Sequence, residues 1–158
     1  MKLARVGVIG AAVLAVATLA VAQAKPDFSG TWTVVPAADA PAGGGGGGGR
    51  GMGGPFTVVQ KADTLTTERS FGDNKITTIY KLDGTEAVNK QMGRGGTEVE
   101  VKSVAKWDGS KLVITEKRPG QDGAINESTQ TWSLGADGIL TIDRTGGRGP
   151  SSMKYKKS

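Results

Sequence analysis

Four Asp-Gly pairs, Asp83-Gly84, Asp108-Gly109 and Asp137-Gly138 in tight turns and Asp122-Gly123 in a longer connection, stand between short runs rich in β-branched and aromatic residues, and this punctuation limits what the chain can become. Glycine takes a positive φ without steric cost, and aspartate bonds back to the turn backbone. Two residues therefore reverse the chain and leave antiparallel strands on either side. The intervening runs alternate with period two. In 98–107, Val99, Val101, Ser103, Ala105 and Trp107 share one face, opposite Glu98, Glu100, Lys102 and Lys106. The same reading places strands at 30–35, 56–61, 64–70, 75–82, near 86–90, at 111–117, 125–134 and 139–144, and near Met153 and Tyr155. No helical stretch of useful length occurs after residue 24. Sequential strands joined by hairpins predict an all-β fold, an antiparallel up-and-down β-barrel of about eight to ten strands, whose closure removes unpaired edges.

The chain has no cysteine and no histidine, which removes disulfides, thiol nucleophiles, imidazole bases and the commonest nitrogen and sulfur metal ligands together. No paired carboxylates and no nucleophile–base pair appear. The chain therefore reads as a non-enzyme without cofactor or metal, and an acid–base role for Glu127 with Arg69 or Tyr80 is the weaker rival. At the N-terminus, Lys2 and Arg5 precede an apolar run at 6–22 and the small-x-small triplet Ala22-Gln23-Ala24. This predicts a signal peptide at 1–24, an exported protein, periplasmic or extracellular, and no integral membrane span after cleavage. Residues 25–158 suit one domain with one core. Without Lys2 and Arg5 the net charge falls from +5 to +3, 18 Lys and Arg against 15 Asp and Glu, too mild to argue for nucleic acid.

Connections in a meander fall at alternate ends, and here the two ends differ in chemistry. The turns after 56–61, 75–82, 98–107 and 125–134 are short. The connections after 30–35, 86–90, 111–117 and 139–144 are long, glycine-rich, and carry Arg50, Arg94, Arg118 and Arg148. The first is a mobile loop at 36–55 built on an uninterrupted glycine run. A barrel closed by tight turns and open at an arginine-bearing rim predicts a site for a small amphiphilic or anionic ligand at the open end. Arg69, Tyr80 and Arg144, on inward-reading faces, join the candidate binding set. Aromatic stacking residues do not accompany the Arg-Gly loops, so single-stranded nucleic acid is excluded as a partner. Further inward polar candidates are Thr67, Thr78, Ser103, Glu127, Thr129 and Thr131. The strand at 125–134 has two assignments: Glu127 inward, or Trp132 and Leu134 inward with Glu127 out. The alternative function is a structural or protein-interaction module with a filled barrel; a ligand carrier predicts a cavity above Trp32.

Pro26-Asp27-Phe28-Ser29-Gly30-Thr31-Trp32, the Asp-Gly hairpins, Thr131-Trp132-Ser133-Leu134 and Lys154-Tyr155-Lys156 together resemble small secreted bacterial lipocalin-like proteins of the calycin type. The resemblance covers most of 25–158, and its most specific element is Gly30-x-Trp32. It implies that Gly30 and Trp32 form the structural base of the barrel, with an arginine from a late strand over the ring. Arg144 is the matching residue; its position at the end of its strand equally suits the mouth, with an arginine or lysine elsewhere covering Trp32. The usual lipocalin disulfides and middle-loop motif are absent, so the resemblance carries the barrel and not a transport role.

Overall fold

A computed structural model describes residues 24–36, 54–71, 74–93, 96–120, 122–147 and 149–158. They form ten antiparallel strands: β1 (Gly30–Val34), β2 (Phe56–Gln60), β3 (Thr64–Phe71), β4 (Asn74–Lys81), β5 (Glu86–Met92), β6 (Glu98–Asp108), β7 (Lys111–Pro119), β8 (Ile125–Leu134), β9 (Leu140–Gly146) and β10 (Ser151–Lys157). Every predicted strand is present, with ends within a few residues of those read from alternation and turn residues. Among the described residues no α-helix occurs, and no helix is long and apolar enough to cross a membrane. Gly84, Gly109 and Gly138 all carry positive φ, as the Asp-Gly reading requires. In two of these turns the aspartate closes the loop: Asp83 Oδ1 accepts from the Thr85 backbone N–H and Asp137 Oδ1 from that of Ile139.

The sheet order is β4-β3-β2-β1-β10-β9-β8-β7-β6-β5, a meander in which the first and last strands pair, with Trp32 opposite Lys157. The barrel is nearly closed. Full closure, expected from the sequence, is corrected at one seam: β4 and β5 share no backbone ladder, although a tight turn joins them. Side chains cross the seam instead. The Asn89 amide accepts from Ile79 N–H at 2.8 Å and donates to Ile79 C=O at 2.9 Å, occupying the donor and acceptor positions that a paired strand residue would fill. Gln91 Nε2 donates to Thr78 Oγ1 alongside it.

The inward faces make one core. Its aromatic part gathers Phe28, Trp32, Phe56, Trp132 and Tyr155, all essentially without solvent contact, with Trp107 packed against them. Phe28 stacks on Trp107 and meets Trp132 edge-on, while Phe56 meets both Trp132 and Tyr155 edge-on, at centroid separations of 5.0–5.9 Å. These are the offset and T-shaped arrangements that ring quadrupoles favour. The segment entering β1 is pinned by Gln60, which accepts from Phe28 N–H and donates to Pro26 C=O.

Trp32 is buried, and its indole N–H donates to Phe28 C=O at 2.9 Å. The cation over its ring is Lys157, with Nζ 5.5 Å from the centroid, which decides the question left open for Arg144. Gly30 explains how the lysine gets there. Its φ is +137°, and a Cβ at this position would stand 2.8 Å from Lys157 Cε, so the bare glycine is the surface across which the lysine stem runs. The Gly-x-Trp spacing is thus a packing device: the glycine opens the lane and the tryptophan receives the charge.

Candidate ligand site inside the barrel

Beyond the aromatic rings the inward face turns polar. Thr67 on β3, Thr78 and Tyr80 on β4, Asn89 on β5, Ser103 on β6, Glu116 on β7 and Gln130 on β8 are all buried. Period two dictates this placement. In β7 the face that carries Leu112 and Ile114 continues to Glu116, and in β8 the face of Trp132 continues to Gln130. Register then brings them together: Ser103 lies opposite Glu116, Glu116 opposite Ser128, and Gln130 opposite Arg144.

Glu116 is the hub. Its Oε1 accepts from the Tyr80 hydroxyl at 2.9 Å, and its Oε2 accepts from Gln130 Nε2 at 3.0 Å and from Arg144 Nη2 at 3.1 Å. Arg144 Nη2 also reaches Ser128 Oγ at 3.4 Å, and Gln130 Oε1 accepts from the Trp132 indole N–H at 3.3 Å. Polar atoms of β4, β7, β8 and β9 are thereby tied into one network, as burial of such groups requires. Burial, first, and the neighbouring Glu116 carboxylate, second, hold the Tyr80 phenol well above the ordinary tyrosine range; the charges of Arg69 and Arg144 oppose this. The Tyr155 phenol is also raised by burial, with Arg69 pulling the other way.

Arg69 differs from the rest. Its guanidinium carbon sits 4.0 Å above the Phe56 ring, and its Nη1 is buried without a hydrogen-bond partner. Among the described residues no salt bridge involves it. A second buried orphan is Ser103 Oγ.

Of the residues expected to bind ligand, Arg69, Tyr80 and Arg144 come together inside the barrel. Arg118 does not: its side chain is exposed and donates to Gln91 at the rim. Arg50, Arg94 and Arg148 lie outside the described residues, as does most of the 36–55 loop. The inward assignment of Glu127, Thr129 and Thr131 is corrected. Trp132 and Gln130 occupy the core, and Glu127 points outward with its carboxylate 3.5 Å from Lys117 Nζ. A bulky indole on one face costs more to expose than a carboxylate, so it sets the strand's orientation. The acid–base role weighed for Glu127 loses its geometry with that placement. Sequence reasoning missed Glu116 and Gln130; the signal was available, because each continues an apolar inward face. Among the described residues no three His, Cys, Asp or Glu side chains gather into a metal-binding group.

The described residues thus form a nearly closed, ten-stranded up-and-down barrel whose inner half is polar. Among solved structures it is similar to a mutant of the fluorescent protein UnaG, with TM-score 0.55 and 25% identity over 83% of this chain and 96% of that one. It also overlaps the REP1-NXSQ fatty acid transporter, with TM-score 0.48 and 14% identity over 66% of this chain and 69% of that one. No protein family and no curated sequence relative matches the chain.

Proposed function

We propose that this chain is an exported, non-catalytic barrel that binds a small amphiphilic anion in its interior, with the ligand's head group on Arg69. The observation that carries this reading is the buried, partnerless Nη1 of Arg69. A buried guanidinium N–H left without an acceptor is costly, and an anionic oxygen is the group that relieves the cost best. The rings of Phe56, Trp132 and Tyr155 belong to the same buried core, so the apolar part of an amphiphile would enter by separating rings that now pack on one another. A non-catalytic role is supported by Glu116, whose two oxygens already accept from Tyr80, Gln130 and Arg144 and are not poised to take a proton from a substrate. Export is supported by the apolar run at 6–22 and the Ala22-Gln23-Ala24 triplet; N-terminal sequencing of the mature protein should begin at Lys25.

The test is calorimetric titration of the mature protein with decanoate, alongside Arg69→Gln. Binding in the wild type that weakens about tenfold or more in the variant supports the reading; no binding of any medium-chain anion by the wild type overturns it. The competing reading, a filled barrel that serves as an interaction module, is favoured by the mutual satisfaction of Tyr80, Glu116, Gln130 and Arg144 across the interior. It predicts that no small molecule co-purifies in native mass spectrometry.

A further inference from the structure

We propose that Glu116 sets the net charge of the barrel interior and so makes the site select a singly charged head group over a doubly charged one. This rests on the reading of Arg69 as the head-group anchor. Among the described residues the charged side chains of the polar inner half are Arg69, Glu116 and Arg144, two cations and one anion. Lys157 lies over Trp32 at the closed end, and Arg118 is exposed at the rim. Glu116 compensates Arg144 directly, with Nη2 to Oε2 at 3.1 Å, whereas Arg69 has no carboxylate beside it among the described residues. The described residues therefore leave one uncompensated positive charge in the interior.

Hydrogen bonding alone does not explain a carboxylate at this position. A glutamine at 116 could keep its amide oxygen on Gln130 and Arg144 and turn its N–H toward the Tyr80 oxygen, reversing one bond of the network; what no such rearrangement restores is the negative charge. With that charge present, a monoanion on Arg69 makes the interior neutral. A dianion leaves an excess negative charge that Glu116 repels in a medium where screening by water is weak, an effect worth roughly tenfold or more in affinity. The three groups are close enough to act together, since Tyr80 bonds Glu116 and feels the charge of both arginines. Glu116 thus acts as a specificity residue without touching the head group.

The experiment compares decyl sulfate with decyl phosphate at about pH 8, where tetrahedral head groups of similar size carry one and nearly two negative charges. Calorimetric titrations use the wild type, Glu116→Gln, and the double variant Glu116→Gln with Arg144→Gln, each checked for folding by circular dichroism. The wild type is expected to prefer the sulfate by roughly tenfold, E116Q to lose or reverse that preference, and the double variant, with one interior cation again, to regain it. Decyl sulfate binding with an unchanged ratio in E116Q overturns this inference and leaves the anion site standing. Failure of the wild type to bind either ligand overturns both. Should E116Q not fold, Arg144→Gln decides: its neutral interior is expected to bind both anions at least about tenfold more weakly, and undiminished affinity overturns the inference.

Discussion

Replacing Asn89 tests whether one side chain holds the open seam of the barrel. Its amide makes two bonds to the Ile79 backbone, at 2.8 and 2.9 Å, where β4 and β5 have no ladder of their own. Asn89→Leu keeps the approximate volume at a buried position and removes both bonds, leaving the Ile79 N–H and C=O to find water. The bonds are part-buried, so each is worth about 0.5–1.5 kcal/mol, and the variant should lose about 1–3 kcal/mol in chemical denaturation. For a domain of this size that corresponds to a fall of roughly 3–10 °C in melting temperature. The loss should also be local. In hydrogen exchange the Ile79 amide of the wild type should be protected although β4 is an edge strand, and in Asn89→Leu it should exchange faster by far more than amides of β7 and β8. Equal Ile79 protection in the two proteins, or a stability change below about 0.3 kcal/mol, would refute the idea that the amide substitutes for a strand partner.

Other perturbations follow from the same packing. Trp32→Ala removes a fully buried indole and should cost about 3–5 kcal/mol in denaturant titration; a cost under 1 kcal/mol would show that the ring is not a core element. Gly30→Ala must adopt a φ of +137° and should cost about 1–3 kcal/mol even if the Lys157 stem swings aside. The chain has two tyrosines, Tyr80 and Tyr155, both raised by burial. Their folded values exceed the unfolded value near 10, so the stability they contribute is complete below about pH 10 and is lost as pH rises beyond it. Ultraviolet titration should find little tyrosinate in the native protein at about pH 10, where the urea-unfolded chain is half ionised; coincident titration curves would contradict the burial. Glu127→Gln, on the outer face, should change stability by less than about 0.5 kcal/mol, since its pairing with Lys117 is solvent-exposed.

The strands were legible because their signals are local. Asp-Gly turns and period-two alternation report on neighbours a few residues away, and all ten strands fall where those signals put them. The face of β8 was left with two assignments because Glu127 and Trp132 lie on opposite alternations, and the cost of exposing an indole is what decides between them. The seam between β4 and β5 was hidden for a different reason. Nothing in a run such as 86–90 announces that its partner strand will lie too far off for a ladder, and Asn89 reads as an ordinary strand asparagine until Ile79 is seen beside it. Gly30 and Trp32 were recognisable as a base element, but the cation above the ring came from Lys157 on β10 and not from Arg144.

The sequence by itself determined where strands and turns fall and a chemistry without thiol or imidazole, since these depend on residue type and short-range order. Tertiary structure alone decided which charges meet inside. Tyr80 and Arg144 reach Glu116 across 36 and 28 residues of chain, and one nitrogen of Arg69, Nη1, ends buried with no acceptor. Alternation says only that each of these side chains points inward. Which of them bond, and which cation is left over, depends on how the strands curl around and come to face one another, and that is a property of the nearly closed sheet as a whole.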